Sequence, residues 1–378
     1  MRVMICSMKR VLLVVLDSAG CGHAPDANDY GDAGADTLGH LFERIPDFEL
    51  PHLASLGLYR ILGLEKPSRI WDGARWARLT ETSAGKDTTT GHWELMGYPL
   101  SEAFATFEFF PSDLVADLER RCGVSFLGNT AASGTEILRD LGAQHLQTGH
   151  PILYTSADSV MQIAAHEKVF GLERLWDLCR TARALLDERN IRIGRVIARP
   201  FLGSGPDDFQ RTSNRRDYSL TPGETALNRL QNAGITTIGV GKIWDIFAGS
   251  GISESHPTKY NAGGMAAIDR LWNDQRNGPH LIFANLVDFD SLYGHRRDPV
   301  GYAACLREFD EWLGSFLPKV RPDDLLIITA DHGNDPCHHG TDHTREQVPV
   351  MTLGLHGELA DGVFSDVARM VGNHFAAR

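Results

Sequence analysis

The chain has 378 residues, of which 42% are hydrophobic and 23% are charged, and its formal net charge is -12. Its length exceeds the roughly 250–300 residues at which one hydrophobic core stops growing, which predicts two domains. An acidic chain lacks the clustered positive charge that nucleic acids and anionic membranes attract, so neither is an expected partner. The cysteines are dispersed without a CxxC pair, which indicates reduced thiols. No segment approaches the roughly 20 apolar residues of a membrane span, and a cytoplasmic location is expected.

Short apolar runs alternate with helical patterns along much of the chain. In chain order, we predict a strand, then three pairs of a helix and a strand: Val11–Leu16, Pro222–Asn232, Ile235–Val240, Gly264–Asn277, Leu281–Val287, Gly301–Phe316 and Leu325–Ala330. Continuous apolar runs are typical of strands that are buried on both faces. The alternation predicts an α/β fold in which a central, mostly parallel sheet is flanked by helices.

A segment of different character interrupts this pattern. Residues 103–220 contain mixed elements, such as the strand-like Pro151–Thr155 and the helix-like Gly171–Glu188. Turn-forming pairs that contain Pro99 and Pro222 bracket the segment. The sequence therefore predicts an α+β domain at 103–220, inserted into a discontinuous core of 1–102 and 221–378.

Three of the four predicted core strands deliver an aspartate at their carboxyl end. Asp17 follows the first strand, Asp288 and Asp290 follow the third, and Asp331 follows the fourth. Each aspartate alone would more often be a helix cap or a turn residue. Ligands of such sheets bind outside the carboxyl ends of the strands, so three aspartates at one edge favour a binding site there.

Histidines crowd the segment after the last predicted strand. It contains Asp331-His332-Gly-Asn-Asp335, then His338, His339 and Asp342-His343. Imidazole with carboxylate is a ligand set for Zn, Mn or Fe, whereas an exposed polar loop is the alternative interpretation. Upstream, Asp290 and His295 are five residues apart across Gly294, so a short loop could bring both onto one ion, with Asp288 as the competing ligand.

The segment from Ser83 to Glu94 contains Gly-Lys-Asp-Thr-Thr-Thr-Gly. It is not a nucleotide P-loop, because Asp87 separates the lysine from the first threonine and the upstream glycine spacing is absent. It predicts a threonine at a helix N-terminus, where backbone N–H groups and the helix dipole favour an anion. Metal coordination would lower the pKa of such a threonine hydroxyl and make it a nucleophile, whereas a threonine N-cap is the usual alternative.

Arginines concentrate in the predicted insertion. Six fall within 25 residues: Arg192, Arg195, Arg199, Arg211, Arg215 and Arg216. Guanidinium groups match phosphate oxygens in bidentate fashion, although a solvated charged surface is the alternative. The run from Arg195 to Phe201 reads as a strand with Arg195 and Arg199 on one face, so at least one arginine is expected to face a pocket.

These segments resemble the prokaryotic phosphopentomutases, a family within the alkaline phosphatase superfamily. The matching motifs are Leu16-Asp-Ser18 with Ala24–Ala27, Ala84–Glu94, Tyr154–Val160, Gly194–Phe201, Asn285–Asp290 with Gly294–Pro299, and Ala330–Asp335 with Gly340–Glu346. They span nearly the whole chain. The departures are about seven residues before Met8, which is the alternative first residue, an end soon after Phe375, and the histidines His338 and His339, which have no family role.

The resemblance implies an alkaline-phosphatase-like core with an inserted cap domain that positions the substrate. Two divalent ions, expected to be Mn²⁺, would bind the core. One ion would take Asp17, Asp331, His332 and the oxygen of Thr88, and the other would take Asp290, His295 and His343. The sugar phosphate would be held in the cap by Ser156, Asp158, Arg195, Ile197 and Arg211.

The implied reaction interconverts ribose 1-phosphate or 2-deoxyribose 1-phosphate with the corresponding 5-phosphate. Thr88 would carry the phosphoryl group, a bisphosphate would be the intermediate, and a sugar bisphosphate would be needed to prime Thr88. The alternatives are a cofactor-independent phosphoglycerate mutase or a metal-dependent phosphatase of the same superfamily. A non-catalytic sugar-phosphate-binding protein is disfavoured, because Thr88 lies beside Lys86 and Asp87.

Overall fold

The structure, a computed structural model, describes residues 9–156, 159–274, 276 and 278–376. Its strands are β1 (Arg10–Leu16), β2 (Ala74–Thr80), β3 (Leu127–Ala131), β4 (Ile152–Thr155), β5 (Val160–His166), β6 (Arg195–Leu202), β7 (Gln210–Arg211), β8 (Arg216–Ser219), β9 (Thr236–Val240), β10 (Glu254–His256), β11 (His280–Leu286), β12 (Asp324–Thr329), β13 (Val348–Leu353) and β14 (Gly362–Val363). Its α-helices are α1 (Thr37–Arg44), α2 (Pro51–Ser55), α3 (Leu58–Ile61), α4 (Thr88–Leu95), α5 (Ser112–Cys122), α6 (Glu136–Thr148), α7 (Leu172–Glu188), α8 (Ala226–Asn232), α9 (Ile243–Ile246), α10 (Asn261–Asn273), α11 (Pro299–Phe316) and α12 (Asp366–Ala376).

The chain divides into two compact units. One comprises residues 1–102 and 222–378, and the other comprises residues 103–221. The sequence prediction set the second boundary one residue earlier, between residues 220 and 221.

The first unit is built on an eight-stranded sheet with the order β10-β9-β11-β1-β12-β13-β2-β14. Strand β1 is parallel to its neighbours β11 and β12, and β11 is parallel to β9, whereas β13 runs antiparallel to both β12 and β2. Every residue of β1, β11 and β12 is buried, as expected for central parallel strands with covered faces. The predicted fold class, α/β with a mostly parallel central sheet, is confirmed.

The element ends differ in detail from the prediction. Helix α8 begins at Ala226 and not at Pro222, because Thr225 and Asn228 form a capping box that starts the helix there. Helix α10 begins at Asn261 and ends at Asn273, while its predicted end, Asn277, lies outside the described residues.

The second unit is an α+β unit. Its sheet has the order β3-β4-β5-β6-β7, with β8 also paired to β6. Val196 and Ala198 of β6 belong to an apolar cluster with α5 and α7 residues such as Leu114 and Cys179. Because side chains alternate along a strand, Arg195, Ile197 and Arg199 lie on the other face of the sheet.

Thiols and apolar helices show no special chemistry in the described part of the chain. The five described cysteines are free, and burial raises the pKa of Cys305 to about 12 and that of Cys179 well above its usual value. Such thiols stay protonated at neutral pH and are poor nucleophiles. None of the described helices combines the length and apolar composition needed to cross a membrane.

A buried ion pair joins β1 and β12 at the edge where both strands begin. Arg10 Nε donates to Asp324 Oδ1 at 2.8 Å, and its guanidinium lies 4.0 Å from the ring centroid of Trp272. Both charged side chains are nearly inaccessible to solvent. The pair therefore fixes the register of the two strands that carry Asp17 and Asp331 at their other ends.

We expect Asp324→Ala to lower the free energy of unfolding by about 3–5 kcal/mol, because it leaves the Arg10 charge buried without its partner. Denaturant unfolding followed by circular dichroism measures the change. The control is Arg369→Ala, which removes an exposed ion pair with Asp366 and should change stability by about 1 kcal/mol or less. Equal effects of the two substitutions would show that the buried pair does not stabilise the core.

Candidate metal centre and active site

Three aspartates meet at the carboxyl edge of the large sheet. Asp17 follows β1 directly, Asp290 follows β11 after a short turn, and Asp331 follows β12, and these three strands are adjacent and parallel. Their exposed fractions are 1%, 8% and 0%. The structure thus brings together the strand-end aspartates on which the sequence prediction depended.

Asp17, Asp331 and His332 form the first candidate metal group. Their ligand atoms lie within 4.8 Å of one another. His332 Nε2 is 3.4 Å from both Asp17 Oδ1 and Asp331 Oδ2. These two oxygens are buried and have no hydrogen-bond partner among the described residues. A buried carboxylate oxygen rarely lacks a partner, so this donor set fits a bound cation.

The remaining oxygens of these two carboxylates are held by the protein. Asn285 Nδ2 donates to Asp17 Oδ2 at 2.9 Å, and the backbone N–H of Ser18 donates to Asp331 Oδ1 at 3.1 Å. Each carboxylate therefore has one oxygen fixed by a hydrogen bond and one oxygen turned toward His332. Outer contacts of this kind orient metal ligands.

Asp290, His332 and His343 form the second candidate metal group. His295 Nε2 lies 3.2 Å from Asp290 Oδ2, and His343 Nε2 lies 3.5 Å from Asp290 Oδ1. The Nε2 atoms of His295 and His343 are only 3.1 Å apart. Four side chains thus converge here, and His332 belongs to both groups, whereas the resemblance implied it for one ion alone.

Backbone carbonyls fix the orientation of two of these imidazoles. His295 Nδ1 donates to the Thr341 carbonyl at 2.7 Å, and His332 Nδ1 donates to the Gly333 carbonyl at 3.0 Å. A carbonyl can only accept, so Nδ1 carries the proton and a neutral ring turns the Nε2 lone pair toward the carboxylates. This is the arrangement by which proteins present histidine to a metal ion.

The electrostatics of the cluster favour a positive charge. Burial would lower the pKa of His332, but Asp331 and Asp17 raise it well above its usual value. Burial and the charge of Asp331 raise the pKa of Asp17. Burial would likewise raise the pKa of Asp290, but hydrogen bonds from His295 and His343 hold it well below its usual range. The same field that attracts a proton attracts a divalent cation.

Thr88 lies at the first position of α4 and faces the first metal group. Its Oγ1 is 3.1 Å from His332 Nε2. The expectation that free N–H groups of this helix N-terminus bind an anion is wrong for Thr89 and Thr90, because Asp87 Oδ1 accepts both N–H groups, at 3.0 and 3.2 Å. Thr90 Oγ1 also donates to Asp87, whereas Thr88 Oγ1 approaches His332 of the candidate metal groups.

Other polar residues of the matched motifs lie outside the two groups. Asp288 Oδ2 accepts the N–H of Asn261 at 2.7 Å, at the start of α10, and Asp288 belongs to neither candidate group. The rings of His338 and His339 lie tilted against each other with centroids 4.2 Å apart, and both residues belong to neither candidate group. Asn334, which the sequence prediction left out, donates to Asp290 Oδ1 at 2.7 Å.

The cap residues named from the resemblance are spread over the sheet of the second unit. Arg195 begins β6, whereas Arg211 pairs with Phe201 near its end, six residues further, which is roughly 20 Å along a strand. Ile197 lies between them with a buried side chain, and Ser156 follows β4. Asp158 lies outside the described residues.

The basic neighbour of Arg211 is Arg199, whereas Arg195 lies at the other end of β6. Arg211 Nη2 donates to the hydroxyl of buried Tyr154 at 3.2 Å. Burial raises the pKa of Tyr154, while the charges of Arg211, Arg199 and Arg215 lower it. Burial and the charges of Arg215 and Arg211 also lower the pKa of Arg199. Arg215 is paired with Asp217, so Arg211 and Arg199 are the guanidinium groups here that suit an anion such as a phosphate.

Comparison with known proteins places the chain in a superfamily of metal-dependent enzymes. A protein-family model for the metalloenzyme superfamily matches residues 9–377. A solved structure of a Pyrococcus horikoshii protein is similar over 98% of both chains, with a TM-score of 0.52 and 14% identity, which supports the fold alone. The chain is thus a metalloenzyme, in agreement with the two candidate metal groups.

Curated relatives narrow the class to one family. The chain is 53% identical to the phosphopentomutase of Syntrophotalea carbinolica over 346 residues, which cover 91% of this chain and 87% of the relative. It is 51% identical to the phosphopentomutase of Symbiobacterium thermophilum over 353 residues, which cover 93% and 89%. The chain belongs to the phosphopentomutase family, as the sequence motifs indicated. It is therefore an isomerase, a mutase that transfers phosphoryl groups.

The two neighbouring aspartates after β11 provide a matched test of the second metal group. We expect Asp290→Asn to weaken Mn²⁺ binding on the order of 100-fold or more, because it removes a carboxylate that would bind the ion directly. Loss of a residue that only orients a metal ligand costs about 10- to 100-fold, and loss of the ligand itself should cost more. Asp288→Asn should leave Mn²⁺ affinity within about threefold, since its carboxylate accepts a backbone N–H at the start of α10. Electron paramagnetic resonance of free Mn²⁺ measures both. Loss of binding in Asp288→Asn alone would reverse the assignment.

Proposed function

We propose that the chain interconverts the 1-phosphate and the 5-phosphate of ribose or 2-deoxyribose, with Thr88 as the residue that carries the phosphoryl group. The observation that carries this proposal is the 3.1 Å approach of Thr88 Oγ1 to His332 Nε2, at the edge of two candidate metal groups. Both curated relatives are phosphopentomutases, which supports the same substrate class.

The first transfer moves a phosphoryl group from phosphorylated Thr88 to the free hydroxyl of the incoming pentose phosphate. The sugar oxygen forms a bond to phosphorus, the bond from phosphorus to Thr88 Oγ1 breaks, and a sugar bisphosphate results. In the second transfer the other phosphoryl group returns to Thr88 Oγ1. The proton that the first hydroxyl loses is balanced by the proton that the second sugar oxygen gains, so the cycle consumes no water.

Divalent ions would be held as the resemblance implies, one by Asp17, Asp331, His332 and Thr88 and the other by Asp290, His295 and His343. They would stabilise charge on the attacking and leaving oxygens of an in-line transfer. Mn²⁺ is proposed because carboxylate and imidazole ligands together suit it. A sugar bisphosphate would prime unphosphorylated Thr88.

The protein must keep water from the phosphorylated threonine, since hydrolysis would turn the mutase into a phosphatase. We assign the positioning of the sugar to the second unit, the cap, whose residues Ser156, Asp158, Arg195, Ile197 and Arg211 follow from the family motifs. Arg199 joins this set, because it shares the surroundings of Tyr154 with Arg211. Binding of the sugar phosphate by guanidinium groups would order the site and exclude water.

We expect Thr88→Ala to abolish mutase activity, because no other hydroxyl would accept the phosphoryl group. Thr89→Ala is the matched control and should retain at least about half of the activity, since its backbone N–H, and not its side chain, contacts Asp87. After incubation with ribose 1,5-bisphosphate, peptide mass spectrometry should find phosphate on Thr88. Activity that survives in Thr88→Ala would contradict the covalent scheme.

The substrate class is tested by parallel assays with ribose 5-phosphate and 3-phosphoglycerate. We expect turnover of the pentose phosphate only, with no stoichiometric release of inorganic phosphate. Turnover of 3-phosphoglycerate alone would identify a phosphoglycerate mutase, and phosphate release that matches substrate loss would identify a phosphatase.

Substitution of Arg211, in the basic cluster of the cap, should weaken binding of the sugar phosphate. We expect Arg211→Ala to raise KM for ribose 5-phosphate about 10- to 100-fold, because a hydrogen bond from a charged group contributes about 1.5–3 kcal/mol. Arg180→Ala, which removes an exposed arginine paired with Asp177 on α7, is the control and should leave KM unchanged. Steady-state kinetics distinguish the two. An unchanged KM in Arg211→Ala would remove this residue from the substrate site.

A further inference from the structure

The second turn of α4 touches the metal-binding edge of the sheet at Gly91. A Cβ atom built on Gly91 would lie 1.9 Å from the backbone carbonyl oxygen of Asp331. Glycine inside a helix is destabilising relative to alanine, so its presence calls for a packing reason. The close approach supplies that reason, because any side chain at this position would push α4 away from Asp331.

The next residue, His92, lies between Thr88 and Asp331. Its side chain is fully buried, and its Nδ1 is 2.8 Å from the carbonyl oxygen of Thr88 and 3.0 Å from Asp331 Oδ2. Because a carbonyl only accepts, Nδ1 carries a proton. Nε2 has no hydrogen-bond partner among the described residues, and the ring stacks on Phe283 at 5.8 Å.

The carboxylate of Asp331 is therefore contacted from two sides. Ser18 N–H fixes Oδ1 from the loop after β1, and the Nδ1 proton of His92 faces Oδ2 from α4. The geometry of that proton favours the Thr88 carbonyl, so Oδ2 retains a lone pair that can bind a cation. One imidazole therefore contacts both the backbone of the nucleophile and a carboxylate of the first metal group.

We propose that Gly91 and His92 are positioning residues, which hold the Thr88 hydroxyl at a fixed distance from Asp331 throughout phosphoryl transfer. The proposal rests on the proposed roles of Thr88 and Asp331. Gly91 sets the closest approach of α4 to β12, and His92 prevents sliding of the helix along the carboxylate. A displacement of about 1 Å at a reacting oxygen is enough to cost about 100-fold in rate.

The test compares His92→Leu with His92→Asn. The asparagine side chain places an N–H donor at the same distance from the backbone as His92 Nδ1, whereas leucine fills similar space without a donor. We expect His92→Leu to lower kcat and Mn²⁺ affinity about 10- to 100-fold each with KM little changed. His92→Asn should recover most of both losses. Electron paramagnetic resonance of free Mn²⁺, steady-state kinetics and the fraction of Thr88 that is phosphorylated are the measurements.

Gly91→Ala tests the same proposal without removing a buried polar side chain. Its matched control is Gly372→Ala in α12, where an added Cβ meets nothing within 4 Å. We expect Gly91→Ala to lower kcat at least about tenfold and Gly372→Ala to leave kcat unchanged. Thermal unfolding of the metal-free variants reports any purely structural effect.

Two outcomes overturn the proposal. In the first, His92→Leu keeps wild-type kcat and Mn²⁺ affinity. In the second, His92→Asn loses as much kcat, Mn²⁺ affinity and stability as His92→Leu, so the N–H donor makes no difference, which is the behaviour of a packing residue. Thr88→Ala separates this failure from failure of the proposed function, because an active Thr88→Ala enzyme refutes the phosphothreonine scheme whatever His92 does.

Discussion

Repulsion among three buried carboxylates is the constraint on which the site depends. Asp17, Asp290 and Asp331 leave adjacent parallel strands at one edge, where almost no solvent screens them. Two unit charges about 4 Å apart interact by about 4 kcal/mol at the dielectric typical near a protein surface. Imidazoles alone compensate this charge only when they are protonated, whereas a divalent cation does so with neutral histidines. The arrangement is stable because the rest of the core holds the carboxylates until a cation binds.

The core strands could be predicted because strands buried on both faces appear in the sequence as continuous apolar runs. Runs such as Val11–Leu16 are apolar at every position, which only a strand covered on both faces requires. Strands β2 and β13 lack this pattern. Strand β2 alternates exposed and buried residues, and β13 contains Pro349, which lies beyond the stretch paired with β12. Their pairing joins segments far apart in the chain, and no local pattern encodes such a contact.

The site shows the same division between local and long-range information. Aspartates at strand ends and a histidine-rich loop are local features, and their convergence follows from parallel strands. Asp87, and not a threonine, is the N-cap of α4, and its occupation of two N–H groups became apparent only from the helix geometry. The proximity of Arg199 and Arg211 depends on how β6 and β7 pair, and that register is invisible in the sequence.

The proposed metal ligands come from distant parts of the chain, with Asp17 near the start and Asp331 and His343 near the end. An unfolded chain cannot hold them together, so an ion bound there stabilises only the folded core. At a free ion concentration 100 times the dissociation constant this linkage contributes about 2.7 kcal/mol. We therefore expect bound metal to make the protein more resistant to heat and proteolysis, so that removal of the ion would lower the amount of folded protein as well as its activity.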